Sequence, residues 1–162
     1  PTQAAQLKQQ LAPGIQAVGV FVKEDPETVV HLLEDGVIDV AQLHGGESEA
    51  YIRTLRQHTH KPIVQAFRVD TPADLEKAQA SSADSILLDS GDGGTGERFD
   101  WRLAEGFKRP FFLAGGLGAE SISDALTRLR PFAVDMSSGV ETEGVKDPVK
   151  IEAAVAAVRR YS

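Results

Sequence analysis

Six short runs of apolar and small residues recur along the chain, each closed by a polar residue, a glycine or a turn. Between them, apolar residues repeat at spacings of three and four, the pattern of a helix with one buried face. The predicted strands cover residues 17–22, 39–44, 62–68, 85–89, 110–115 and 133–137. A helix is predicted after each strand, and another over residues 3–11 before the first.

The strand-plus-helix unit repeats at a nearly constant length. The strands begin 22 to 25 residues apart, a spacing that favours parallel strands joined by right-handed crossover helices. We predict an α/β fold of the (β/α)8 TIM barrel type, with about six of its eight strands in this chain. An open doubly wound sheet repeats in the same way, and Gly91, Gly93 and Gly96 formally match its dinucleotide-binding motif. The next strand does not end in an acidic residue, so that match is weak.

The series has no internal boundary. No linker, low-complexity segment or long charge run interrupts it, so residues 1–162 are predicted to form a single, incomplete TIM-barrel domain. A complete barrel would have two more strands and one more helix upstream, about 45 residues at this spacing. We therefore expect an N-terminal truncation. Two open sheet edges would favour dimerisation or misfolding of such a chain made alone.

Composition removes several classes of function. The formal charge is −7, and no basic patch is visible that would bind a nucleic acid. The absence of cysteine excludes disulfides, thiolate metal sites and a thiol nucleophile within these residues. No apolar run approaches the roughly 20 residues needed to span a membrane. The first residues show no signal-sequence pattern, so a cytoplasmic location is the expectation.

Four predicted strands end in a polar side chain on the same face. Functional groups of a (β/α)8 barrel lie at the C-terminal strand ends, and alternation makes His44, Arg68, Asp89 and Asp135 point inward. Each has a structural explanation when taken alone. Asp89 could start a turn, His44 could satisfy a loop carbonyl, and Arg68 could pair with a neighbouring aspartate. Convergence of all four at one edge favours a functional site.

Glycine-rich segments follow three of the strands. Gly93, Gly94, Thr95 and Gly96 are predicted to form a mobile loop that closes over a ligand, with a plain surface turn as the alternative. The segments after the last two strands contain Gly115, Gly116, Ser137, Ser138 and Gly139. Counted back from the C-terminus these are the seventh and eighth strands, after which phosphate sites recur in this fold. We predict phosphate binding there, with plain turns again as the alternative.

Seven short motifs occur in order along most of the chain. They are Gln42-Leu43-His44-Gly45, Ala66-Phe67-Arg68, Leu87-Leu88-Asp89, Gly93-Gly94-Thr95-Gly96, Leu113-Ala114-Gly115-Gly116-Leu117, Asp135-Met136-Ser137-Ser138-Gly139-Val140-Glu141 and Gly144-Val145-Lys146-Asp147. As an ordered set they resemble the phosphoribosylanthranilate isomerase family of tryptophan biosynthesis. Any single motif is weak, whereas the ordered set is specific.

The resemblance implies an Amadori rearrangement of N-(5-phosphoribosyl)anthranilate, a small sugar-phosphate substrate, without cofactor or metal. Asp89 would be the general acid, and His44, Arg68 and Asp135 would orient the anthranilate and the ribose. The phosphate would be bound by the glycines and serines after the last two strands. The family's general base is a cysteine in a Lys-x-Cys-Gly motif, and an arginine meets the anthranilate carboxylate. The resemblance places both before residue 1.

Three alternatives accompany this interpretation. Indoleglycerol-phosphate synthase would need a catalytic lysine and glutamates at the strand ends, which these strands lack. A ribulose-phosphate epimerase would need several metal-binding histidines and aspartates, and His44 is the one candidate histidine. A catalytically impaired barrel fragment would keep phosphate binding without turnover. The sequence also leaves open a homodimer or a fusion with a neighbouring pathway enzyme.

Overall fold

In a computed structural model of the protein, parallel strands alternate with helices; the structure describes residues 2–89, 100–118 and 120–161. The six main strands are β1 (Val18–Phe21), β2 (Val40–Leu43), β3 (Ile63–Arg68), β4 (Ser85–Asp89), β5 (Phe111–Leu113) and β6 (Ala133–Val134). They form one sheet in the order β1-β2-β3-β4-β5-β6. All six predicted strands are therefore confirmed, in the sequential order that a (β/α)8 barrel requires.

Seven helices and one small hairpin complete the described chain. The helices are α1 (Thr2–Lys8), α2 (Pro26–Glu34), α3 (Glu49–Arg56), α4 (Pro72–Ala80), α5 (Trp101–Ala104), α6 (Ile122–Leu129) and α7 (Pro148–Arg159). A 3-10 turn over Ser138–Val140 leads into an antiparallel hairpin of β7 (Glu141–Thr142) and β8 (Val145–Lys146). None of the described helices is both long and apolar enough to pass through a membrane.

Local signals in the sequence fix where these helices start. Asp25, Ser48, Asp100 and Asp147 are N-caps whose side chains accept hydrogen bonds from first-turn amides. Pro26, Pro72 and Pro148 begin their helices, where a missing N–H costs nothing. Ser121 occupies an N-cap position without a capping bond, and its hydroxyl instead meets the backbone of Gly118.

The chain divides into two compact units. The first comprises Pro1–Ala66 and Ser81–Ile86, and the second Phe67–Ala80 and Leu87–Ser162. The first unit has a core formed by Val29, Leu33, Ile38, Ala41, Leu43, Ile52, Leu55, Ile63 and Ala83. Because Ala41 and Leu43 belong to this core with α2 and α3 residues, alternation leaves Gln42 on the opposite face of β2. A single barrel domain over the whole chain stays a prediction.

Several predicted elements extend past the observed ones, and the first helix and the last strand do so by three residues each. The first helix ends at Lys8 rather than Leu11, and its last turn tightens through bonds from Gln10 N to Leu7 O and from Leu11 N to Lys8 O. Pro13 follows at once, and a proline disfavours helix in the residue before it. The last strand stops at Val134, because the chain turns into the 3-10 segment at Ser138–Val140.

Candidate active site

The ends of four strands lie side by side in the second unit. Val69 N donates to Asp89 O at 3.0 Å, Ala114 N to Leu88 O at 2.8 Å, and Asp135 N to Leu113 O at 2.8 Å. These bonds join the ends of β3, β4, β5 and β6 in sequence. The structure therefore brings Arg68, Asp89, Gly115 and Asp135 to one edge of the sheet.

Asp89 is the buried acid of this edge. It ends β4 directly after Ile86, Leu87 and Leu88, which are fully buried, and is itself 9% exposed. Buried carboxylic residues are uncommon unless they have a partner or a chemical role. Such a group at a strand end suits proton exchange with a ligand.

Arg68 lies at the same edge but faces solvent. Its Nε is 2.8 Å from Asp70 Oδ2, and both side chains are more than half exposed. The pairing with a neighbouring aspartate, the alternative named from the sequence, is therefore present. An exposed pair of this kind contributes little to folding, about 0–1 kcal/mol.

The loops after β5 and β6 approach each other through a glycine. Gly115 and Gly116 have φ values of +85° and +59°, which are strained for any residue with a side chain. A Cβ added at Gly139 would lie 1.8 Å from Leu117 O. Ser137 and Ser138 are exposed beside this contact. The two loops thus lie against each other at residues that have no side chain to cover their backbone amides.

The hairpin after β6 supports this loop. Asp147 N donates to Val140 O at 2.9 Å, and Thr142 Oγ1 donates to Asp147 Oδ2 at 2.7 Å. The same carboxylate caps α7 by accepting from Val149 N at 2.9 Å. The Thr142 hydroxyl, with the Val149 and Lys150 amides, lowers the pKa of Asp147 below its usual value. Asp147 therefore ties the hairpin to the helix as a carboxylate.

His44 ends β2 in the first unit and is half-buried. Its backbone N donates to Phe21 O at 2.8 Å, and its ring Nδ1 lies 3.2 Å from Gln42 Nε2. An amide nitrogen can only donate, so Nδ1 acts as the acceptor in this contact. When the His44 ring is neutral and Nδ1 accepts from Gln42, the ring proton is on Nε2 of His44. Gly93, Gly94, Thr95 and Gly96, the predicted mobile loop, lie outside the described residues.

Sequence reasoning missed a buried glutamate next to His44. Glu47 Oε1 accepts from Lys23 N at 2.7 Å and its Oε2 accepts from Gly45 N at 2.9 Å. The Glu47 carbonyl accepts from Gln65 Nε2 at 2.7 Å. A Cβ at Gly45 would lie 2.6 Å from Oε1, so the glycine leaves room for the carboxylate. The sequence signal that could have indicated this role of Glu47 was the pair Gly45-Gly46 directly before it.

Glu47→Gln is expected to lower the free energy of unfolding by about 1–3 kcal/mol. The side-chain NH2 group of the glutamine would face the backbone N–H of Lys23 or Gly45, and neither of these two donors can accept a hydrogen bond. Glu76→Gln is the matched control. Glu76 is exposed on α4, and its substitution should change stability by less than about 0.5 kcal/mol. Urea unfolding at neutral pH measures both. Equal stabilities of the two variants would contradict this role for Glu47.

The alternation of parallel strands and helices defines the class of the protein: it has the fold of a (β/α)8 barrel. A family model described as N-(5'phosphoribosyl)anthranilate (PRA) isomerase matches residues 1–157, and the chain belongs to this family. The expected isomerase of tryptophan biosynthesis is thus confirmed, and the synthase and epimerase alternatives are not favoured.

Individual relatives agree with the family model. The N-(5'-phosphoribosyl)anthranilate isomerase of Endomicrobium trichonymphae is 46% identical over 160 residues, covering 96% of this chain and 78% of the relative. The crystal structure of the Thermotoga maritima isomerase has a TM-score of 0.87 at 34% identity, covering 99% of this chain and 80% of that one. A further isomerase structure is a complex with reduced 1-(o-carboxyphenylamino)-1-deoxyribulose 5-phosphate, with a TM-score of 0.84 at 32% identity over 99% of this chain and 79% of that one.

Proposed function

We propose that the protein catalyses the Amadori rearrangement of N-(5-phosphoribosyl)anthranilate to 1-(2-carboxyphenylamino)-1-deoxyribulose 5-phosphate. One observation carries the assignment of the site: in the second unit, buried Asp89 neighbours the glycine-lined loop after β5. An acid beside an anion pocket suits a sugar phosphate whose ring opens by protonation while its phosphate is held. Family membership supplies the identity of the substrate.

Asp89 performs the first proton transfer. Its carboxyl group gives a proton to the furanose ring oxygen, and the bond from C1 to that oxygen breaks. The electron pair on the anthranilate nitrogen forms the C1–N double bond of an iminium ion, leaving Asp89 as a carboxylate. Positioned general acids contribute rate factors of about 10²–10⁴.

The second proton transfer forms the ketose. A base removes the C2 proton, the electron pair moves into the iminium ion, and the resulting enol tautomerises to the ketone. The iminium ion accepts the electrons, so the chemistry needs neither metal nor cofactor. The family's base is a cysteine, and these 162 residues contain none. No residue of this chain is assigned to that step.

The remaining residues bind and orient the substrate. The phosphate is held by Gly115, Gly116, Ser137, Ser138 and Gly139. By the family correspondence, Arg68 and Asp135 orient the ribose and the anthranilate, and His44 contributes to the same task. Closure of Gly93, Gly94, Thr95 and Gly96 over the ligand stays a prediction from the sequence. A cytoplasmic location, a homodimer and a fusion with a neighbouring pathway enzyme remain predictions from the sequence.

A turnover assay tests the proposal. The protein is mixed with N-(5-phosphoribosyl)anthranilate, and loss of substrate is followed by the fluorescence of the anthranilate group. We expect reduced 1-(o-carboxyphenylamino)-1-deoxyribulose 5-phosphate to compete with the substrate for binding. Isomerisation itself also requires a base for the C2 proton, a role assigned to no residue of this chain. Binding of this analogue without turnover would support a phosphate-binding role alone. Failure of the analogue to bind would contradict the assignment of the site.

A further inference from the structure

Lys146 contacts the proposed phosphate loop from the hairpin that follows it. Its Nζ lies 2.9 Å from Ser137 Oγ, 3.0 Å from Ser137 O and 2.6 Å from Glu141 Oε1. An ammonium group has three N–H donors and no acceptor. The three protons of Lys146 are therefore matched by three acceptors, two of which belong to one phosphate-loop residue.

The hairpin builds this contact into the fold. Glu141 and Lys146 are direct cross-strand partners of β7 and β8, a placement that favours opposite charges. Glu143 and Gly144, between the strands, have φ values of +54° and +77°. Positive φ at both central residues is the requirement of a two-residue type I′ turn. Backbone geometry thus sets the lysine against Ser137.

The contact fixes the direction of the Ser137 hydroxyl. A serine hydroxyl has one proton to donate and two lone pairs to accept with. Because Lys146 can only donate, Ser137 Oγ accepts in this contact and keeps its proton for another acceptor. Ser137 is exposed, so that proton is available to a ligand oxygen.

The charge of Lys146 is largely compensated. Glu141 Oε1 lies 2.6 Å from the ammonium group. Lys150 Nζ donates a hydrogen bond of 2.5 Å to the backbone carbonyl of Glu141. A neutralised lysine adds little long-range attraction for an anion. Its influence on a phosphate would therefore act through the orientation of the hydroxyl and would change little with salt concentration.

We propose that Lys146 is a positioning residue for phosphate binding, which turns Ser137 into a hydrogen-bond donor to the substrate phosphate. The inference rests on the proposed function, because it needs Ser137 to contact the phosphate. It adds a residue of the Gly144-Val145-Lys146-Asp147 motif, to which the proposed mechanism gives no role.

A double-mutant cycle tests the proposal. The dissociation constant of reduced 1-(o-carboxyphenylamino)-1-deoxyribulose 5-phosphate is measured for the protein and for Ser137→Ala, Lys146→Met and the double variant. Each single variant should bind about tenfold more weakly, the value of one charge-assisted hydrogen bond. The double variant should bind no more weakly than either single variant.

Two further variants separate positioning from structural support. Lys146→Arg keeps a donor for Ser137 Oγ and should restore affinity to within about threefold of the parent. Lys150→Met removes a neighbouring lysine that touches Glu141 and not Ser137, and it should leave affinity unchanged. Multiplied effects in the double variant would overturn the role of Lys146 while leaving the phosphate site in place. Unchanged affinity in Ser137→Ala would overturn the phosphate site and the inference together.

Discussion

Gly139→Ala is expected to weaken binding of reduced 1-(o-carboxyphenylamino)-1-deoxyribulose 5-phosphate by about 10- to 100-fold, from strain of about 1–3 kcal/mol. The added Cβ would lie 1.8 Å from Leu117 O and 2.8 Å from Leu117 C. Both are backbone atoms, so the loops after β5 and β6 must move apart. That movement displaces the amides of Gly116 and Ser138 from a shared phosphate. Isothermal titration calorimetry measures the change.

Gly118→Ala is the matched control for this substitution. Its Cβ would approach the Glu120 carboxylate oxygens at 2.8 and 2.9 Å. These are the end of a flexible, exposed side chain that can rotate away. Affinity should therefore remain within about threefold of the parent, because the nearest atoms belong to a side chain that can move and not to the backbone. If Gly139→Ala bound the analogue as tightly as Gly118→Ala, the phosphate would not lie between these loops.

Asp89→Asn is expected to lower kcat by about 10²–10⁴-fold, the usual contribution of a positioned general acid. The amide keeps the shape of the side chain but cannot give a proton to the ring oxygen and become a stable anion. Affinity for the reduced analogue should stay within about threefold, because its open chain needs no ring opening. Steady-state kinetics and calorimetry together separate the two effects.

Asp124→Asn provides the comparison for this loss of charge. Asp124 is exposed on α6 and lies 3.9 Å from the Arg128 guanidinium, a pair of small energetic weight. Its kcat should equal that of the parent within about twofold, as for a surface change. If Asp89→Asn kept the kcat of the parent and its fold, Asp89 would not be the general acid and would have only a structural role at the strand end.

Features of the fold that depend on neighbours in sequence were predictable. Ile122, Ala125 and Leu129 share one helix face because of their spacing, and all three are buried. Asp100 is of the residue type preferred at an N-cap, and it accepts from Arg102 N. Period-two alternation along β4 predicted an inward position for Asp89, and the structure shows this residue buried. These inferences use only the local geometry of helices and strands.

Contacts between distant segments were not predictable in the same way. The Glu47 carboxylate meets Lys23 N, 24 residues away, and no periodicity encodes that distance. The close approach of Gly139 to Leu117 depends on how two loops settle against each other. The hairpin that carries Lys146 has strands of two residues each, too short to give an alternation signal. Arg68 was placed correctly, but a pattern could not choose between its ion pair and a ligand.

A crystal structure of the protein with reduced 1-(o-carboxyphenylamino)-1-deoxyribulose 5-phosphate would test the central claim directly. We expect the ligand phosphate within about 3 Å of the backbone nitrogens of Gly116 and Ser138, with its sugar chain reaching the Asp89 carboxyl group. Electron density for the phosphate at any other edge of the molecule, distant from these amides, would contradict the account.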